Sequence, residues 1–188
     1  MKNKKKYFFN VIFLIIAVLE VSAQIEQANI SPTYTSEETT LRKGFELQGD
    51  VSFLYVGGDF GNSVGMDFTV NYRFTPTFAL GVGFGSYNAY NDNWKWNPIF
   101  TNVVWNFSRK KISPFVAAKV GLYKEAYSNP YSSLGSGIVP TPEKTEFEFY
   151  IGLIAGVQYS LTKNFALKAD VKADICNIGA GVGVIYHF

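Results

Sequence analysis

His187 is the only histidine in this chain of 188 residues, and it sits one position from the end. Imidazole is the usual general base near neutral pH, so His187 is the first candidate for catalysis. Cys176 is the only cysteine; it cannot form an internal disulfide, and a redox or metal role wants a second Cys or nearby His ligands. It reads as a small, inert residue. Gly81-Val82-Gly83-Phe84-Gly85 invites a nucleotide-loop reading, but no helix follows it, and glycines within a strand leave packing room for neighbouring side chains. Asn106-Phe107-Ser108 matches a glycosylation acceptor by chance, at a buried strand end. The remaining chemistry lies in acids and bases at alternate positions, such as Lys168/Asp170 and Lys172/Asp174. The elements that carry these groups decide what they can do.

The amino-terminal end sets the compartment. Met1 to Lys6 carries four lysines, Tyr7 to Leu19 is a nearly unbroken apolar run, and Val21-Ser22-Ala23 offers small residues before Gln24. This is the pattern of a secretory signal peptide over residues 1–23, and Glu20 ends the run too early for a transmembrane anchor. Cleavage after Ala23 removes Lys2, Lys4, Lys5, Lys6 and Glu20, turning the formal charge of +2 into −1. No basic cluster for a nucleic-acid partner remains. Residues 24–42 are polar without sustained alternation and read as a periplasmic amino-terminal leader.

Residues 43–188 repeat a period-two pattern, the mark of strands with one apolar and one polar face. The second run sets Val64, Met66, Phe68, Val70 and Tyr72 against Asp67, Thr69, Asn71 and Arg73. The sixth sets Phe147, Phe149, Ile151, Leu153, Ala155, Val157 and Tyr159 against Glu148, Tyr150, Gly152, Gly156 and Gln158. In the fourth run Phe100 and Val104 break the alternation. Eight such runs are predicted. Short turns at Thr75–Thr77, Ser108–Ser113 and Leu161–Asn164 fall on one side, and the longer loops Asn88–Asn97 and Ala126–Thr145 on the other. That is the layout of an all-β, eight-stranded antiparallel transmembrane β-barrel with an up-and-down meander.

A secreted soluble barrel would point its apolar faces inward. An eight-stranded barrel, however, has room inside only for modest side chains, and the apolar set is too bulky. The polar set is lean and punctuated by glycine, and it carries both acids and bases that can pair. Glu46, Asp50, Asp67, Glu148, Asp170 and Asp174 stand against Arg73, Lys119, Lys168 and Lys172 as an expected interior network, with Arg73 and the lysines pairing the acids. The apolar side then faces lipid. Tyr72, Phe74, Phe78, Trp105, Phe107, Tyr159 and Phe165 form an expected aromatic girdle at the short-turn end; Tyr87, Tyr90, Trp94, Trp96, Tyr123 and Tyr127 form a second at the loop end.

Signal peptide, eight amphipathic strands, three tight turns and a final strand ending GVGVIYHF together resemble the small outer-membrane β-barrel family of the OmpA/OmpX type, porin-type barrels of the Gram-negative cell outer membrane. The resemblance implies that Tyr186 and Phe188 are an assembly signal read by the barrel assembly machinery. It also implies outer-membrane lipid and lipopolysaccharide as surroundings, no nucleic acid, and a monomer. The short turns would face the periplasm, placing His187 at the periplasmic rim, about 25 Å from the outer leaflet. That removes the base from where lipid-modifying chemistry would occur, so no enzyme, no catalytic residue, no cofactor and no metal is expected. The favoured reading is a closed polar interior with a structural or surface-interaction role carried by the loops. A narrow conduit for ions or small solutes is the alternative, and open aqueous pores need 16 or more strands.

Overall fold

The computed structural model describes residues 41–56, 62–89, 94–127, 147–174 and 177–188. The expected signal peptide, all but the last two residues of the expected leader, Tyr90, Cys176 and most of the expected long loop lie outside these residues. Eight strands follow in chain order: β1 (Gly44–Val56), β2 (Asn62–Thr75), β3 (Phe78–Ala89), β4 (Trp94–Asn106), β5 (Ile112–Tyr127), β6 (Phe147–Ser160), β7 (Phe165–Asp174) and β8 (Asn177–His187). Each pairs antiparallel with the next, and β8 pairs with β1, closing the barrel. The fold is the expected all-β, eight-stranded meander. Closure leaves no open strand edge, the arrangement by which a sheet can cross hydrocarbon.

Period-two patterning explains which way each side chain turns. In β1, Phe53 is 65% exposed and its neighbour Leu54 only 2%. The outward positions carry a continuous apolar coat, including Met66, Phe68, Val82, Phe84, Ile99, Phe149, Val182 and Val184. The inward positions hold the polar set. Two corrections concern element ends. Strands β3 and β4 run on to Ala89 and begin at Trp94, so the expected Asn88–Asn97 loop shrinks to 90–93. Likewise β5 begins at Ile112, within the expected turn.

Local chemistry fixes the turns and seams. The Thr75 hydroxyl accepts the backbone N–H groups of Thr77 (3.3 Å) and Phe78 (3.0 Å), turning the chain around Pro76. A register shift between Arg73 and Thr75 accommodates the same corner. At the closing seam Gly44 adopts φ 143°, and a Cβ there would meet the Phe188 carbonyl oxygen at 3.0 Å. Only glycine takes that conformation without strain. Beside it, Phe188 N–H donates to the Phe45 carbonyl at 3.0 Å.

Candidate functional site: the barrel interior

Inward-facing side chains from all eight strands fill the lumen in successive layers. At the short-turn end Arg73 of β2 pairs with Glu46 of β1 and donates through Nη1 to Asn106 Oδ1 (2.9 Å) and the Pro76 carbonyl (3.1 Å). Asn106 Nδ2 donates to Ser113 Oγ (3.1 Å) and Gln158 Oε1 (3.4 Å). Gln158 Nε2 lies 3.4 Å from His187 Nε2, and His187 Nδ1 lies 3.0 Å from Glu46 Oε1. Six strands thus close a polar ring. His187 does not point to a lipid or water interface: it faces the lumen as one member of this ring. The residue type that could have served as a base lies against the Glu46 carboxylate and the Gln158 amide.

Above the ring, Lys168 Nζ bridges Asp50 Oδ1 (3.0 Å) and Asp170 Oδ2 (2.9 Å), and Gln48 Nε2 donates to Asp50 Oδ2 at 2.7 Å. The opposite wall at this level is apolar, a cluster of Ala79, Val104, Phe115, Ala117 and Ile154. The next layer centres on Asp67. Its Oδ2 takes Lys119 (2.8 Å) and Lys172 (3.1 Å), and its Oδ1 takes the Tyr87 hydroxyl (2.5 Å). Lys172 also donates to Ser52. A serine beside a lysine could suggest nucleophile activation, but this lysine is already ion-paired and Ser52 has no exposed surface. Lys119 lies 4.3 Å from the centroid of the Phe100 ring.

The loop end is closed by aromatic rings. Tyr87 and Trp96 stack at 5.1 Å, and Tyr150 contacts Phe100 (6.0 Å) and Tyr123 (6.5 Å). These positions correct the second expected girdle: Tyr87 (0% exposed), Trp96 (3%) and Tyr123 (8%) are inside the barrel. Tyr87 falls on the parity of Gly81, Gly83 and Gly85, a signal present in the sequence. Gly65 makes the space, since the Tyr87 ring lies where its Cβ would be. Phe100 and Val104, which broke the alternation of β4, are likewise interior packing rather than irregularities.

Of the ten residues expected in the interior network, eight meet as ion pairs: Glu46 with Arg73, Asp50 and Asp170 with Lys168, and Asp67 with Lys119 and Lys172. The other two lie towards the loop-end rim. Glu148 accepts the Tyr123 hydroxyl at 2.7 Å, and Asp174 Oδ1 accepts the backbone and side-chain N–H groups of Asn177, both at 2.8 Å. Among the described residues the buried charges balance, four acids (Glu46, Asp50, Asp67, Asp170) against four bases (Arg73, Lys119, Lys168, Lys172). The described residues contain no cluster of metal-ligating side chains.

On the outer wall the short-turn girdle is continuous across four strands. Ring contacts run from Phe45 to Tyr72 (5.1 Å), Phe74 (4.9 Å), Phe78 (6.2 Å) and Trp105 (6.1 Å). Tyr186 and Phe188 belong to the same belt, exposed and in contact at 4.9 Å.

Solved structures share this architecture. Neisserial surface protein A is similar at 18% identity with a TM-score of 0.63, over 77% of this chain and 97% of that one. The N-terminal β-barrel domain of Pseudomonas aeruginosa OprF is similar at 19% identity with a TM-score of 0.54, over 78% of this chain and 100% of that one. Ail of Yersinia pestis, in complex with the heparin analogue sucrose octasulfate, is similar at 15% identity with a TM-score of 0.50, over 78% of this chain and 100% of that one. No curated protein matches in sequence. At such identities the likeness is one of fold. The model of the family described as Opacity family porin protein matches residues 64–188, from β2 through β8, and the chain belongs to that family of outer-membrane β-barrels.

Proposed function

We propose that this barrel is a closed scaffold whose biological contacts are made by its loops at the cell surface. The observation that carries the reading is the lumen: a charge-balanced network and a cluster of buried aromatic rings are packed inside it. An ion crossing it would have to displace buried pairs, and separating a buried pair leaves an uncompensated charge at a cost of roughly 3–5 kcal/mol. The conduit reading has the weaker support, since paired charges give no open file of polar groups. The segments at 90–93 and 128–146 carry the contacts in this reading. In sequence the loop side is acidic, with Asp59, Asp92, Glu125, Glu143, Glu146 and Glu148 against Lys95, Lys124 and Lys144. A sulfated ligand like that held by Ail is therefore a poor fit, and neutral or cationic partners suit it better.

Planar-bilayer recordings of the purified barrel test closure: conductance steps would refute it. Shortening 128–146 tests the loops; if every surface-binding phenotype survived, their role would fall. We further propose that Tyr186 and Phe188 serve recognition by the assembly machinery, a role supported by their exposed, outward position at the end of the closing strand.

A further inference from the structure

The short-turn end carries a basic collar that neither the lumen nor the loops use. Arg42 and Lys43 lead into β1, Arg109, Lys110 and Lys111 fill the β4–β5 turn, and Lys163 lies in the β6–β7 turn. All six are exposed. Among the described residues none of them pairs with a carboxylate side chain. The nearest acid along the chain to Lys43, Glu46, points inward and is held by Arg73 and His187. The interior contributes no net charge to offset the collar, because its four buried acids match its four buried bases.

The position of these cations names their partner. Lys43 is two residues from Phe45, Lys163 two from Phe165, and Lys111 is next to Ile112, all in the outward belt or beside it. Lys111 Nζ stands 5.1 Å from the centroid of the Tyr159 ring, a belt aromatic. Interfacial aromatic rings lie at head-group depth, so charges one or two residues beyond them lie at the level of lipid phosphates. The cations are also spread around the circumference, at the start of β1 and at two of the three short turns, rather than converging on one point. A soluble anion would want convergence; a ring of head groups wants this spread. We propose that the short-turn rim is a binding surface for anionic phospholipid head groups in the leaflet it faces, with Arg109, Lys110, Lys111 and Lys163 as its main contacts. The inference is independent of whether the lumen conducts.

Native mass spectrometry of the folded barrel in detergent, offered equal phosphatidylglycerol and phosphatidylcholine of identical chains, tests this. Retained phosphatidylglycerol should exceed phosphatidylcholine by at least about tenfold, given the attraction of each basic side chain to an anionic surface. The excess should collapse in an R109Q/K110Q/K111Q/K163Q variant and persist in K95Q/K124Q, which removes charge at the other end. Equal retention by the unmodified chain, or a preference that survives the quadruple change, overturns the proposal. Should the quadruple variant fail to fold, salt decides on the unmodified chain: the preference should vanish at about 0.5 M, where screening acts within a few ångströms, and a salt-independent preference overturns it. Inorganic phosphate at matched concentration should leave the lipid bound, and displacement by it would assign the rim to free phosphate instead.

Discussion

Asp67 is the most heavily used carboxylate of the interior, with two lysines on one oxygen and a tyrosine hydroxyl on the other. Replacing it by Asn keeps the shape and removes the charge, leaving Lys119 and Lys172 facing each other without a counter-ion in a closed space. Asp67→Asn should therefore lower the unfolding free energy in lipid vesicles by about 3–5 kcal/mol, measured by urea titration. Adding Lys119→Met should recover part of that loss, since one uncompensated charge is then gone; a loss unchanged by the second substitution would deny the coupling. Glycine gives a second prediction at this scale. The Cβ of Gly65→Ala would overlap the Tyr87 ring, whereas a Cβ at Gly49 meets nothing within 4 Å. Gly65→Ala should cost about 1–3 kcal/mol through overpacking, and Gly49→Ala should be neutral or slightly stabilising. Equal effects would mean that the Tyr87 ring moves away freely.

The seam between β1 and β8 is where the elements close the barrel, and its two end residues do different work. His187 faces inward to Glu46 and Gln158, and its backbone N–H and carbonyl bond Asn164 O (2.7 Å) and Asn164 Nδ2 (2.8 Å) in the β6–β7 turn. Phe188 faces outward in the aromatic belt. His187→Ala should weaken the folded state by about 1–3 kcal/mol, through the groups it leaves unpaired, while assembly in cells proceeds. Phe188→Ala should do the reverse, cutting the yield of heat-modifiable folded barrel severalfold with a small change in unfolding free energy. Matching effects on both measurements would refute this division. The strands themselves were legible because period-two alternation survives wherever one face meets lipid and the other a crowded polar lumen. Parity alone does not say how large an inward side chain can be, which is why Phe100 and Val104 broke the pattern and why Tyr87 and Trp96 were assigned to a girdle. Their room comes from small residues on neighbouring strands, Gly65 under Tyr87 above all, and that is a cross-strand fact one strand cannot carry. The ion-pair partners are legible as one inward-facing set of acids and bases, while the pairing of Lys119 with Asp67, 52 positions apart, depends on barrel geometry.

For the molecule as a whole, the interior layers stand in series along the barrel axis. The Arg73–Glu46 ring, the Lys168 bridge, the Asp67 hub and the stacked rings follow one another from the short turns towards the loop end. Barriers in series have a direct consequence: opening one does not open the path, because the remaining layers still oppose any ion that enters. The aromatic lid is the layer to remove first, since Tyr87 and Trp96 are large and the ion pairs below can stay intact if Asp67 keeps its two lysines. Tyr87→Ala combined with Trp96→Ala should leave a folded, heat-modifiable barrel that is less stable by about 3–5 kcal/mol or more, as expected for large buried aromatics cut to alanine. Its conductance in planar bilayers should stay at background. Extending the truncation to Lys119, Lys168 and Arg73 in the same chain, so that every layer is broken, should produce measurable steps if the barrel still assembles. Steps appearing with the lid alone removed would show that the charged layers let ions through, and the scaffold reading would give way to a gated conduit with Tyr87 and Trp96 as its gate.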